Sequence, residues 1–286
     1  MTITVKSPAK INLYLDVLGK REDGYHDIKS VMQSVSLFDT VTVNEDDEIS
    51  VICRTPGVPT DENNIAFKAA RMFFDKAGIC GGCQIEIDKS IPVAGGLAGG
   101  STDGAAVLLA LNSMYNDRFS LSELLNMGAG LGADVPFCIK KGCALCEGAG
   151  EIMTDISAKL TFDAVIARGG ESVSTPAAYR LLDEEFGKGL DRDFGNIENV
   201  TKALETENTQ LLIKSAYNIF EEVILPRHST ASRLKNLMYE NGALFSMMSG
   251  SGPSVFGIFG SPEAAKAAAA NIRLAGFEAH PCRSIT

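Results

Sequence analysis

The stretch that most constrains this chain is Pro92-Val-Ala-Gly-Gly-Leu-Ala-Gly-Gly-Ser-Thr102, with glycines at 95, 96, 99 and 100. Those glycines let the backbone pass close to a ligand and adopt positive φ. The stretch runs into an apolar helix expected from Ala105. Several backbone N–H groups and the positive end of a helix dipole would therefore face whatever sits in the loop. Ser101 and Thr102 add hydroxyl donors. The pattern is not GxxxxGK[ST], because no Lys follows the second glycine pair, nor is it GxGxxG with a downstream acidic partner. A flexible surface loop is the plain alternative. The apolar flanks and the buried helix favour a phosphate cradle.

The rest of the chain limits what such a cradle can serve. Its 286 residues suit two domains or one large one. With 45% hydrophobic and 22% charged residues it can bury a core. A net charge of −10 argues against a nucleic-acid partner, which needs a basic face. It does not exclude a small anion held by backbone N–H groups. No apolar run reaches the roughly 20 residues of a membrane span. The N-terminus alternates polar and apolar residues, unlike a signal peptide, so a cytoplasmic address is expected.

Seven Cys in a chain of this length do not suggest a disulfide framework. Cys80-Gly-Gly-Cys83 and Cys143-Ala-Leu-Cys146 have metal-type spacing. Cys143 and Cys146 fall in a strand-like stretch, where that gap sends them to opposite faces, so no metal site is expected.

Residues 2–18 alternate as a strand, and Asp23-Gly24 marks a hairpin. Further β-like runs fill 28–54, a helix is expected over 63–76 and a strand over 84–88. Helices follow at 105–115 and 120–128, the second capped by Ser120 or Ser122. Strands that precede helices without βαβ alternation favour α+β. A second unit is expected near 155, with a strand at 162–167 and helices at 176–185, 214–223 and 230–240. Strands at 243–248 and 254–259, a helix at 264–275 and a strand at 277–282 then fit a split β-α-β layer. Residues 186–197 read as an exposed loop.

Four further constellations could carry chemistry. In Leu131-Gly-Ala-Asp134-Val-Pro-Phe137, Asp134 reads either as a helix N-cap or as a desolvated general base. Lys10 and Asn12 share one face of the first strand, opposite Ile11 and Leu13, and would line a cleft or form a solvated edge. In Asp23-Gly-Tyr25-His26-Asp27, an aromatic beside an imidazole can stack on and hydrogen-bond a planar ring, or pack a turn. Ser249-Gly-Ser-Gly-Pro-Ser254 is a second Gly/Ser loop, a plain hairpin or a cover for phosphates.

Taken in order, PAKINLYLDVLGKREDGYHD, PVAGGLAGGSTDGAAVLLALN, LGADVPF and MMSGSGPSVFGIF resemble the GHMP kinase superfamily across the whole chain. There are departures: Ser101-Thr102 for Ser-Ser, Asp103-Gly104-Ala105 for a run of small residues, and Asp27 for Glu. None removes a group that the chemistry needs.

The resemblance implies an α+β fold of two domains: a ribosomal-protein-S5-like one over 1–154 and a ferredoxin-like one over 155–286. It implies ATP as co-substrate with Mg²⁺, and phosphorylation of the 2-hydroxyl of 4-diphosphocytidyl-2-C-methyl-D-erythritol. A mevalonate- or homoserine-type acceptor, or a non-catalytic binding protein on the same fold, is the alternative. Asp134 would take the hydroxyl proton, with Lys10 keeping it ionised. Pro92, Val93, Ala94, Gly95, Gly96, Leu97, Ala98, Gly99, Gly100, Ser101 and Thr102 would hold the ATP phosphates. Asn63 or Asn64 would edge the adenine. Tyr25 and Tyr179 would flank the cytosine, His26 would read its edge, and Asn12 would orient the erythritol.

Overall fold

A computed structural model describes residues 1–186 and 196–286. The first elements are β1 (Thr2–Lys20), β2 (His26–Asp46), β3 (Ser50–Cys53), α1 (Ile65–Ala77) and β4 (Gly82–Asp88). Then come α2 (Gly99–Met114), α3 (Leu121–Leu131), α4 (Val135–Lys140), β5 (Cys143–Gly148), β6 (Ile152–Asp155) and β7 (Asp163–Arg168). They are followed by α5 (Thr175–Phe186), α6 (Ile197–Glu205), α7 (Thr209–Ser215), β8 (Tyr217–Asn218) and α8 (Phe220–Ile224). The chain closes with α9 (Ser229–Glu240), β9 (Phe245–Met248), β10 (Val255–Phe259), α10 (Pro262–Leu274) and β11 (Glu278–Arg283). No helix of the described residues is long and apolar enough to cross a membrane. Residues 187–195 of the loop expected at 186–197 lie outside the described residues.

The chain forms two compact units. One contains Met1–Ala9, Phe38–Val93 and Ala98–Lys141; the other contains Lys10–Leu37, Ala94–Leu97 and Gly142–Thr286. This partition does not follow a linear boundary at 154/155, because β1 and β2 are long enough to lend one end to each unit.

In the first unit β4 pairs antiparallel with the end of β2 (Val41 opposite Ile87) and parallel with β3 (Val51 opposite Ile85). Helices α1, α2 and α3 cover this layer, burying Phe73, Leu108, Leu111 and Leu124 against Val41, Val43 and Ile85. Helix ends are set by local chemistry. The Asn64 side chain accepts from Ala66 N, Gly78 ends α1 at φ 64°, and Ser120 with Glu123 forms a capping box on α3. Of the two serines proposed as caps, Ser120 is the one used.

In the second unit Ile28–Gln33 of β2 pairs antiparallel with β5, which pairs with β6. Cys143 and Cys146 both lie on β5, in the strand expected for them. A four-stranded antiparallel sheet has the order β11-β7-β10-β9, the ferredoxin-like arrangement, with α9 and α10 packed on it through Leu234, Met238, Ala268 and Ile272.

Two sequence expectations need correction. The helix expected over 214–223 is split into α7 and α8 by β8. The Asn218 amide donates to Met248 O (2.8 Å) and Gly250 O (2.9 Å) while its Oδ1 accepts from Phe220 N (3.0 Å). A side chain that competes with the backbone in this way stops one helix and caps the next. Helix α6, capped by Asn196, was not expected at all.

Candidate active site

The helix after the Gly-rich segment begins at Gly99, not Ala105. Helix propensity disfavours glycine, but packing overrides it here. A Cβ on Gly104 would come 2.6 Å from Ile65 Cγ2 of α1. The glycine thus lets α1 and α2 approach closely. Gly99, Gly100 and Ser101 therefore supply the unpaired first-turn N–H groups of a 16-residue helix, the ordinary anion-facing donors.

The loop before it also differs from expectation. Of the four glycines only Gly96 takes a positive φ (74°), whereas Ala94 (54°) and Ala98 (58°) do so despite their Cβ atoms. Non-glycine residues in this region store local strain of order 1 kcal/mol each and mark functional loops. Gly96 is needed for a close approach, since a Cβ there would collide with the Ser249 carbonyl oxygen. The Ser249 hydroxyl donates to Gly96 O (3.0 Å), and Lys10 N donates to Leu97 O (3.2 Å). The second Gly/Ser loop thus packs on Gly96, its backbone against the glycine backbone.

The two hydroxyls of the segment have different fates. Thr102 is fully buried; its hydroxyl donates to Pro8 O (2.9 Å) and pairs with Ser7 Oγ (2.6 Å). It ties α2 to β1. Ser101 is half-buried in the first turn.

Beneath the same turn lies a cluster the sequence reading missed. Lys89 Nζ donates to Asp39 Oδ2 (2.5 Å) and Asp103 Oδ2 (2.8 Å), with all three side chains at most 4% exposed. Asp39 Oδ1 accepts from the backbone N–H groups of Ser90 (2.6 Å) and Ile91 (2.8 Å). Asp103 Oδ1 is buried with no hydrogen-bond partner among the described residues. Burial pushes the Asp103 carboxyl up to about 7, with Asp39's charge adding and Lys89's opposing. One signal could have revealed the cluster: Asp39 has the same strand parity as the buried Leu37, Val41 and Val43, and an inward charge needs a partner.

Asp134 occupies the N-cap position of α4 with φ −83° and ψ −15°, yet its side chain makes no capping hydrogen bond. The side chain is half-buried. Gly128 of α3 lets α4 approach closely, since a Cβ there would come 3.2 Å from Val135 Cγ1 and 3.4 Å from Pro136 N.

Lys10 and Asn12 do not sit on an open cleft face. They are 5% and 1% exposed, and both faces of β1 are buried from Ser7 to Leu15. Lys10 Nζ donates to Asn12 Oδ1 (2.9 Å), Asn12 Nδ2 to Ser30 Oγ (2.8 Å), and Ser30 Oγ to Tyr14 O (2.7 Å). Asn12 therefore has both ends of its amide engaged and holds the ammonium in place.

His26 and Tyr179 are brought together. Their rings stack at 4.4 Å with an interplanar angle of 24°, and Tyr179 meets Phe220 edge-on at 4.9 Å. His26 Nε2 bonds Asp183 Oδ1 at 2.7 Å, a partner the sequence reading did not name. Asp183 follows Tyr179 by four positions on α5, so the helical repeat puts both on one side. Tyr25 is apart from this stack and is 63% exposed. Asn64 is committed to capping, its Nδ2 donating to Pro59 O (2.6 Å), whereas Asn63 is exposed and bonds Asp61.

Residues 64–142 match the family described as GHMP kinases N terminal domain, and 200–277 match GHMP kinases C terminal. The 4-diphosphocytidyl-2-C-methyl-D-erythritol kinase of Caldicellulosiruptor bescii is 42% identical over 94% of this chain and 94% of its own. That of Clostridium botulinum is 44% identical over 89% and 90%. A crystal structure of 4-(cytidine 5'-diphospho)-2C-methyl-D-erythritol kinase matches 99% of this chain and 100% of its own, with TM-score 0.83 and 31% identity. A homoserine kinase from Cytophaga hutchinsonii, at TM-score 0.75 and 21% identity, shares the fold.

The fold and the helix-borne glycine loop are those of a GHMP kinase, a class of small-molecule phosphotransferases. Within that class the chain belongs to the 4-diphosphocytidyl-2-C-methyl-D-erythritol kinase family.

Proposed function

We propose that the chain transfers the γ-phosphoryl group of ATP to the 2-hydroxyl of 4-diphosphocytidyl-2-C-methyl-D-erythritol, in the cytoplasm, on the non-mevalonate route to isoprenoid precursors. The observation that carries this reading is 42% identity over nearly the full length of both chains to a relative of that name. Along the sequence the ATP-binding domain takes 1–154 and the C-terminal domain 155–286, with parts of β1 and β2 folded into the other compact unit, and the two family matches fall one on each side of that boundary.

Residues Pro92–Thr102 hold the triphosphate, chiefly through the N–H groups of Gly99, Gly100 and Ser101. Asn63 edges the adenine. Mg²⁺ bound with ATP would neutralise part of the phosphate charge. The donors here suit it, because Ser101 offers a hard oxygen and Mg²⁺ takes most of its remaining ligands from phosphate and water. Asp134 accepts the proton of the attacking hydroxyl, and its place at the start of α4, within LGADVPF, supports this role. Lys10, held by Asn12, neutralises charge developing on the transferring group. Asn12 acts on the erythritol end through that ammonium. Tyr25 and Tyr179 flank the cytosine and His26 reads its edge. A mevalonate or homoserine acceptor has no base for these three residues to engage.

Asp134→Asn keeps the size and removes the base. Its kcat should fall about 10²–10⁴-fold, with ATP and acceptor affinity little changed. Near-normal kcat overturns the base assignment. Lost affinity at normal kcat makes Asp134 a binding residue. Tyr25→Ala, at an exposed ring, should raise the acceptor KM about tenfold or more and leave the ATP KM alone, stacking on one aromatic being worth about 1–3 kcal/mol.

A further inference from the structure

His26 is held from two directions. The Tyr179 ring stacks on one face of the imidazole, and Asp183 Oδ1 takes a hydrogen bond at Nε2 (2.7 Å). Phe220 stands edge-on behind Tyr179, giving the stack an apolar wall. The imidazole side chain is 7% exposed, so its orientation is not left to solvent.

The identity of the bonded nitrogen has a chemical consequence. An ionised carboxylate only accepts hydrogen bonds, so Nε2 must carry the proton. In the neutral imidazole Nδ1 then has a bare lone pair, because the partner of one ring nitrogen decides the state of the other. Nδ1 has no hydrogen-bond partner among the described residues. Asp183 is kept ionised: burial opposes this, but hydrogen bonds from His26 and from Lys20 (3.2 Å) hold its carboxyl below its ordinary value.

We infer that Asp183 is a positioning residue that fixes His26 as the Nε2–H tautomer, makes Nδ1 an acceptor, and so selects a nucleobase edge that donates. The exocyclic amine of cytosine donates to such an acceptor, whereas uracil places a carbonyl oxygen there, lone pair against lone pair. The selectivity rests on the reading that His26 meets the cytosine; the tautomer does not.

The test separates the two. Nitrogen-15 NMR of histidine-labelled full-length protein, assigned with a His26→Gln control, reports the tautomer directly. Calorimetry with cytidine 5'-diphosphate and uridine 5'-diphosphate, the ATP site filled by a non-hydrolysable ATP analogue, reports the base preference. The wild type should show neutral His26 protonated at Nε2. Asp183→Asn, which can turn its NH₂ toward Nε2, should shift the population toward Nδ1–H and reduce the cytidine-over-uridine preference about tenfold, the value of one hydrogen bond lost and one mismatch relieved. Affinity for the ATP analogue should not change, which a general loss of structure would not spare. Nδ1–H in the wild type overturns the proposal without any variant. So does an Nε2–H signal that persists in Asp183→Asn and Asp183→Ala. A tautomer that shifts while the base preference stays put removes the specificity role and the placement of cytosine at His26.

Discussion

Lys89 and Lys20 both reach aspartates, Lys89 at 2.5 and 2.8 Å and Lys20 at 3.2 Å. Their surroundings differ. Lys89 is 4% exposed between Asp39 and Asp103, in the unit that carries α2. Lys20 is 57% exposed against an Asp183 that is 29% exposed, in the unit that carries His26. In the first cluster water cannot replace a lost partner, so the charges dictate where the end of β2, the entry to the glycine loop and the first turns of α2 must lie. In the second, water can substitute for the lysine, and the lasting contact of Asp183 is with the buried imidazole. The same pair of residue types thus fixes a loop in one place and tunes a ring in the other. Burial decides which.

Lys89→Met should break the first cluster with the largest effect. It strands the Asp39 charge, takes the Lys89 donor from Asp103, and should destabilise the protein by about 3–5 kcal/mol, the usual result of removing one partner from a buried pair. In thermal unfolding that is a fall in Tm of roughly 10 °C. Adding Asp103→Asn to Lys89→Met should recover part of the loss, because one buried carboxyl then no longer has to be accommodated. A loss below about 1 kcal/mol would place Lys89 with the exposed pairs and dissolve the contrast.

The next test is a pH profile. The folded Asp103 carboxyl lies at about 7, against an ordinary value near 4. Below about pH 4 it is protonated in both folded and unfolded chains, and the stabilisation that accompanies the raised value is fully present. Between about pH 4 and 7 the unfolded chain releases that proton and the folded chain keeps it, so this contribution is lost as pH rises. Wild-type stability should therefore decline relative to Asp103→Asn across that window, by at most about 1.4 kcal/mol per pH unit. Denaturant melts at half-unit steps would show it. Parallel curves for the two proteins would mean that Asp103 titrates as it does in water.

The contrast also explains what could be read from the chain alone. Period-two alternation makes β1, β2 and β4 legible, and the glycine loop is legible because its donors are contiguous. The onset of α2 at Gly99 is not, since it depends on Ile65 of another helix meeting Gly104. Lys89 lies 50 positions from Asp39 and His26 lies 157 from Asp183, so neither pair has a local signature. The partial signals are parity, which puts Asp39 on an inward face, and the four-residue step from Tyr179 to Asp183. Both say that a partner or a neighbour must exist; only the fold says which. Asn12 shows the opposite limit. Its strand face is correct by parity, but burial of both sides of β1 turns a cleft-lining side chain into a tether for Lys10.

The smallest expected effect belongs to Lys20→Met, and it sharpens the comparison most cleanly because the partner is shared with His26. An exposed lysine on a partly exposed carboxylate contributes about 0–1 kcal/mol and is screened by salt. The variant should melt within about 1 °C of the wild type at 0.15 M salt, where the exposed pair has little left to lose. Asp183 should stay ionised, since the His26 bond at 2.7 Å remains. The His26 tautomer should then be unchanged by nitrogen-15 NMR, in contrast to Asp183→Asn. If Lys20→Met instead shifts the tautomer, the lysine sets the charge state of Asp183. The exposed cluster would then be a coupled triad like the buried one, and burial would not be what separates them.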